Sequence, residues 1–220
     1  MPRSLNEKEF TERRSAGRVS TIYRPVLIET AEFAGFCLVR NLSSIGMMGR
    51  IYTSLAVGTA IQVGFGDIMI VPGHVAWCND DKIGISFDIQ IKVESVLTSL
   101  AHRSHRGNTS RALRLPLQVT GEVIIDDSLI PVELQDISQK GLKVRSAALQ
   151  TDDEVTVCLP GLEHRKATVR WTQAGMSGLN FIRPIPYDQL GEWVIRQQLG
   201  ETLRTQPIVD DDTSRSNANA

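Results

Sequence analysis

Asn41-Leu42-Ser43-Ser44-Ile45-Gly46 and Asp136-Ile137-Ser138-Gln139-Lys140-Gly141 are one pattern written twice in a chain of 220 residues. Downstream of the first stand Val75-Ala76-Trp77 and then Gly84-Ile85-Ser86-Phe87. Downstream of the second stand Val169-Arg170-Trp171 and then Gly178-Leu179-Asn180-Phe181. Trp77 precedes Gly84 by seven positions, and Trp171 precedes Gly178 by the same seven. A chance match of short polar turns does not preserve that interval, so the chain carries two copies of one domain. Two units of about 90 residues each fit this length and are large enough to bury a core.

Upstream of the first copy lies Glu12-Arg13-Arg14-Ser15-Ala16-Gly17-Arg18, in which Arg14 and Arg18 are four apart. Arg-x3-Arg followed by Asp or Asn-x-Ser-x2-Gly, with closing Val-x-Trp and Gly-Ile/Leu-x-Phe segments, resembles the PilZ domains over most of the chain. The resemblance implies a small antiparallel β-barrel that binds the bacterial second messenger cyclic di-GMP. It also implies a ligand set of Arg13, Arg14, Arg18, Asn41, Ser43 and Gly46. The second copy matches at Asp136, Ser138 and Gly141 but departs from the pattern ahead of them. Of Arg103, Arg106, Arg111 and Arg114, no two are four apart, and Arg106 with Arg111 is one residue too long. A second site would use Arg106, Arg111, Asp136, Ser138 and Gly141; otherwise the second barrel is an output surface that docks a partner or the first domain.

The run of elements agrees with that fold. Short apolar, β-branched segments recur between turn signals: Pro25 to Thr30, Phe36 to Leu42, Ile61 to Phe65, Ile68 to Trp77 and Ile83 to Phe87. In the second copy they are Leu115 to Ile125, Leu129 to Ile137, Leu142 to Arg145, Glu154 to Leu159, Arg165 to Trp171 and Ser177 to Ile182, with Asp126-Asp127-Ser128 as a hairpin turn. Val93, Val96, Leu97 and Leu100 recur at helical spacing and predict a short helix over one barrel mouth. Leu190, Trp193, Val194 and Leu199 predict another. The expected fold is therefore mainly β, two tandem barrels each followed by a short α-helix. The expected boundaries are a flexible arm with the arginine motif (1–20), a first domain (21–101), a linker (102–110), a second domain (111–204) and a disordered tail (205–220).

Lys and Arg total 24 against 25 Asp and Glu, a net charge of −1, so no global field draws the chain to nucleic acid or an anionic membrane. Only 95–121 is one-sided, with four arginines, two histidines and no acidic residue. RNA binding would also need a surface pattern of aromatics, so neither DNA nor RNA is an expected partner. The first eight residues hold no apolar core for a signal peptide, and no window approaches a membrane span. The expectation is a cytoplasmic protein without membrane insertion. Cys37, Cys78 and Cys158 are odd in number, lack metal-knuckle spacing and read as buried reduced thiols. His74, His102, His105 and His164 show no metal spacing, and no nucleophile, base or phosphate-loop pattern appears. We therefore expect no metal, no cofactor and no catalysis.

The motif chemistry fits a guanine dinucleotide. Each arginine offers a planar fork for a phosphate or for the O6 and N7 edge of guanine, and its guanidinium can lie on a purine face. Asn41 and Ser43 alternate along an extended segment, so both can point outward and hydrogen-bond a base edge. Gly46 supplies either a turn or room for a base. The bland alternatives are solvated arginines and a β-turn closed by an Asx hydrogen bond. Trp77, Trp171, Phe87 and Phe181, lying within alternating strands, are expected in the cores. The resulting expectation is a cyclic di-GMP-binding effector whose ligand orders the arm on the first barrel and changes a surface for an unidentified protein partner. The alternative is an adaptor that binds no nucleotide and whose barrels mediate protein contacts.

Overall fold

A computed structural model describes residues 23–65, 69–105 and 112–205. Arg13, Arg14 and Arg18 on the arm, Arg106 and Arg111 in the linker, and the tail beyond Thr205 lie outside the described residues. The first barrel consists of β1 (Arg24–Glu29), β2 (Ala34–Ser43), β3 (Gly46–Arg50), β4 (Ala60–Phe65), β5 (Met69–Asn79) and β6 (Lys82–Phe87). It closes in the order β1-β2-β3-β6-β5-β4 through an antiparallel pairing of β4 with β1. Helix α1 (Val93–His105) follows and sinks Val96 and Leu100 into the core of that barrel.

The second barrel repeats the plan with β7 (Leu115–Ile125), β8 (Ser128–Ser138), β9 (Gly141–Arg145), β10 (Glu154–Cys158), β11 (Arg165–Gln173) and β12 (Met176–Phe181). Its circular order, β10-β11-β12-β9-β8-β7, is the same as that of the first, and α2 (Tyr187–Thr205) follows it. Strand β3 was not among the segments expected from sequence, because Gly46-Met47-Met48-Gly49-Arg50 has no β-branched residue. Its counterpart β9, Leu-Lys-Val-Arg after the glycine, was expected, so the repeat itself was the signal that could have found it. Helix α1 runs to His105 and takes in the first residues of the expected linker.

Turn chemistry fixes the hairpins. Asp126 and Asp127, both at positive φ (44° and 62°), form the two-residue loop between paired Ile125 and Ser128. Ala174 and Gly175 (50° and 75°) do the same between Gln173 and Met176. Two consecutive left-handed residues match the twist of the strands they join. Of the three cysteines, Cys37 is buried, and burial pushes its thiol up to about 12. Cys78 and Cys158 are only half-buried, which corrects the expectation for those two.

The two barrels share apolar surface. Phe36 points away from the first barrel's interior and is buried in the second core cluster, edge-on to Tyr187 with ring centroids 5.4 Å apart. Helix α2 inserts Leu190, Trp193 and Val194 into its own barrel's core, and the Trp193 Nε1–H donates to the Pro160 carbonyl at 2.8 Å. Its other side meets the first barrel. The Gln198 side-chain amide donates to the Ala34 carbonyl at 2.8 Å and accepts from the Ala34 N–H at 3.1 Å. The Tyr52 hydroxyl and the Arg50 guanidinium both donate to Asp188 Oδ1, at 2.8 and 2.9 Å, in the helix's first turn. A side chain at Gly191 would strike the Tyr52 ring, so glycine is what lets β3's extension and α2 meet there. The contact between the second domain and the first is thus carried in large part by the helix.

Candidate functional site

Strict alternation along β5 would send Trp77 inward with Val71 and Val75. The ladder between β5 and β6 slips between Val75 and Trp77, and that one-residue bulge reverses the phase. Trp77 therefore faces outward, 41% exposed. Trp171 is likewise 41% exposed after the slip between Val169 and Trp171. A bulge does this because side chains alternate with period two, so one extra residue exchanges the faces of everything beyond it. The expectation that both tryptophans fill the cores is overturned; Phe87 and Phe181, both 7% exposed, do fill them.

The motif strands use the same device. β2 slips against β3 between Val39 and Asn41, and β8 slips against β9 between Leu134 and Asp136. Beyond the slip Leu42 and Ile137 are buried, while Asn41 and Asp136 are turned out of the cores. Without these slips the polar residue would point into a barrel that offers it no partner, at a cost of several kcal/mol for a carboxylate.

Cross-strand register then assembles a row. In the first barrel Asn41 pairs Met48, Met48 pairs Gly84, and Gly84 pairs Trp77. In the second, Asp136 pairs Lys143, Lys143 pairs Gly178, and Gly178 pairs Trp171. The seven-residue interval of the sequence is this pairing of tryptophan with glycine across a hairpin. A Cβ on Gly84 or Gly178 would run into the indole of Trp77 or Trp171, so each tryptophan lies across its glycine. Gly84→Ala is accordingly expected to lift Trp77 off the barrel and cost about 1–3 kcal/mol, as overpacking does. Urea unfolding and the Trp fluorescence maximum measure both effects.

The turn between the motif strands is held rigidly, and in the same way twice. Ser43 Oγ donates to the Gly46 carbonyl at 3.0 Å, and Ser138 Oγ to the Gly141 carbonyl at 3.0 Å. The Phe87 N–H donates to the Ile45 carbonyl and the Ile91 N–H to the Ser44 carbonyl, both at 2.9 Å. Phe181 and Ile185 repeat these bonds to Lys140 and Gln139. The turn is closed by the serine, not by an Asx bond from Asn41. Gly46 is required by close approach, since a Cβ there would lie 2.5 Å from the Ile85 carbonyl oxygen; its φ is not in the left-handed region.

In the first barrel these residues surround a shallow pocket of about 240 Å³, lined by Asn41, Leu42, Ser43, Gly46, Met47, Met48 and Trp77. Leu42 and Met47 are its apolar floor, and the Asn41 amide makes no hydrogen bond among the described residues. Arg40, the residue taken up by the β2 bulge, has its guanidinium carbon 4.1 Å from the centroid of the Tyr23 ring, just ahead of β1. Neither Trp77 nor Met48 nor Arg40 was a candidate from sequence. The equal Trp-to-Gly spacing was a signal for the first; no sequence signal marked the other two.

The equivalent row of the second barrel is occupied by charge. Arg114 Nη1 lies 2.5 Å from Asp136 Oδ1, and Lys143 Nζ lies 3.1 Å from Asp136 Oδ2. Both carboxylate oxygens are thus engaged, and the Asp136 side chain is 14% exposed. Arg114 stands just ahead of β7, whereas Arg106 and Arg111, named with Asp136 for a second ligand site, lie outside the described residues. Among the described residues no group of three or more His, Cys, Asp or Glu is arranged to hold a metal ion. No described helix is long and apolar enough to cross a membrane.

The PilZ domain model matches residues 12–103 and again 102–196. No curated protein sequence matches the chain. Among solved structures, it is similar to the Borreliella burgdorferi PlzA protein in complex with c-di-GMP, at 9% identity and a TM-score of 0.37, over 87% of this chain and 97% of that one. It is similar to the Bacillus subtilis inhibitor of motility (MotI/DgrA) at 14% identity and a TM-score of 0.33, over 84% and 99%. It is similar to Escherichia coli YcgR in complex with c-di-GMP at 12% identity and a TM-score of 0.31, over 82% and 85%.

Proposed function

Since the chain belongs to the PilZ domain family, with two copies of that domain, we propose that it is a cyclic di-GMP-binding effector whose ligand site is on the first barrel. The observation that carries this reading is the pocket in which Asn41, Ser43 and Gly46 meet the exposed face of Trp77. The Asn41 amide offers both a donor and an acceptor to a guanine edge. The Trp77 indole offers a face on which a purine stacks, a contact worth about 1–3 kcal/mol per base. The pocket's described lining carries no cation, so the phosphates fall to Arg14 and Arg18, with Arg13 beside them, on the segment that precedes Tyr23. The rigid turn holds the base-reading groups in place before the ligand arrives, which limits the entropy lost on binding.

Closure of the arm over the pocket would couple ligand to partner binding, because ligand then favours one arrangement of arm and barrel over others. Its role is that of a receptor and not of a catalyst, and a protein partner reads the closed arm. The second barrel serves as the docking body: α2 fixes it to the first, and its own motif carboxylate is already paired. Calorimetric titration of the full chain with cyclic di-GMP tests the reading. The expected result is saturable binding, accompanied by a change in Trp77 fluorescence that Trp77→Phe removes. Absence of saturable binding leaves the adaptor reading in its place.

A further inference from the structure

The two barrels differ at one register position in a way that bears on the ligand. Met48 on β3 and Lys143 on β9 each stand two residues after the motif glycine, pair the motif Asn or Asp on one side, and pair the tryptophan's glycine on the other. Met48 is neutral, lines the pocket and leaves the Asn41 amide open. Lys143 reaches across and takes Asp136 Oδ2, with Arg114 on the other oxygen. We propose that this position determines whether a barrel's site is open: a neutral side chain leaves the motif residue free to read a guanine edge, and a cation closes it. The inference rests on the function proposed above and adds a specificity-determining residue to the same site.

The physical conflict is over acceptors. A guanine Watson–Crick edge presents N1–H and N2–H donors and needs free oxygens opposite them. A carboxylate whose two oxygens already accept from arginine and lysine has only its remaining lone pairs to offer, and a guanine must reach them past both cationic side chains or displace a charge-assisted bond. An opposing effect exists, because a lysine beside the site also attracts the ligand's phosphates. That attraction acts on a side chain 36% exposed and is weakened by solvent and salt, whereas occupation of the acceptor is a contact effect that salt does not relieve to the same degree. The loss should therefore dominate.

The second barrel also shows that the fold accommodates Asp and Lys at these two positions, so the first barrel can be rebuilt in its image. Titration with cyclic di-GMP would compare the wild type, Asn41→Asp with Met48→Lys, and Asn41→Asp with Met48→Gln. Glutamine is long, polar and uncharged, so it separates the cation from the loss of the methionine. The lysine variant is expected to bind at least tenfold more weakly than the glutamine variant, with thermal midpoints of the two variants alike. Equal affinity in the two variants, tighter binding with lysine, or loss of binding in both would each overturn the inference while the wild type's binding leaves the proposed function standing. A wild type that binds no ligand would overturn both.

Discussion

Arg14→Ala with Arg18→Ala in one chain is expected to reduce cyclic di-GMP affinity by about a hundredfold or more without lowering the unfolding midpoint. Charge-assisted hydrogen bonds contribute about 1.5–3 kcal/mol each, so two arginines account for about 3–6 kcal/mol of binding, and each 1.4 kcal/mol is a factor of ten. Stability should not change, because the strands that close each barrel are all among the described residues, which do not include either arginine. The pocket's described lining is uncharged, which leaves the phosphates dependent on the arm. Calorimetry reads the affinity and urea unfolding the stability. Hydrogen exchange with and without ligand adds a second reading: the arm's amides should slow on binding in the wild type and not in the double variant. Wild-type affinity in the double variant would remove the arm from the site.

Phe36→Ala is expected to cost about 3–5 kcal/mol, the range for truncating a buried phenylalanine, and to uncouple the barrels. Phe36 is 2% exposed, yet it is buried by the second domain and not by its own barrel. Its loss should leave the β2 ladder intact while opening a gap beneath Tyr187 and α2. A wild type in which both barrels unfold together should then give way to a variant with two separable transitions in urea. The joint lies on the continuation of β3, the strand that begins at Gly46 in the pocket and ends at Arg50, whose guanidinium holds Asp188. Burial and the bond to Asp188 push the Tyr52 phenol well above its usual range, so this contact persists at neutral pH with the hydroxyl as donor. A single unshifted transition in the variant would mean that the Phe36 contact does not couple the barrels.

Much of this molecule is determined by its sequence alone. The duplicated Asn/Asp-x-Ser-x2-Gly pattern, the shared Trp-to-Gly interval and the apolar runs between turn residues establish two tandem units of antiparallel strands, because strand formation depends on local β-propensity and turn chemistry; that each closes into a barrel is what the resemblance to the PilZ domains implied. The helices were legible from the spacing of Val93, Val96, Leu97 and Leu100 and of Leu190, Trp193 and Val194. The motif residues of the pocket were legible as a pattern, since Ser43 and Gly46 act within one turn.

Other features were decided by the tertiary structure. Alternation predicts Trp77 and Trp171 inward, and only the ladder's one-residue slips, which depend on the partner strand, turn them out beside the motif. The proposed difference between an open site and a closed one rests on Lys143, across the β8–β9 hairpin, and on Arg114, 22 residues before Asp136, and both reach the carboxylate only once β7, β8 and β9 are paired. The burial of Phe36 likewise needs a helix some 150 residues further along the chain. Strand propensity and turns are written within a few neighbouring residues, whereas register, the face a side chain takes after a bulge, and contacts between domains depend on which distant segments come together.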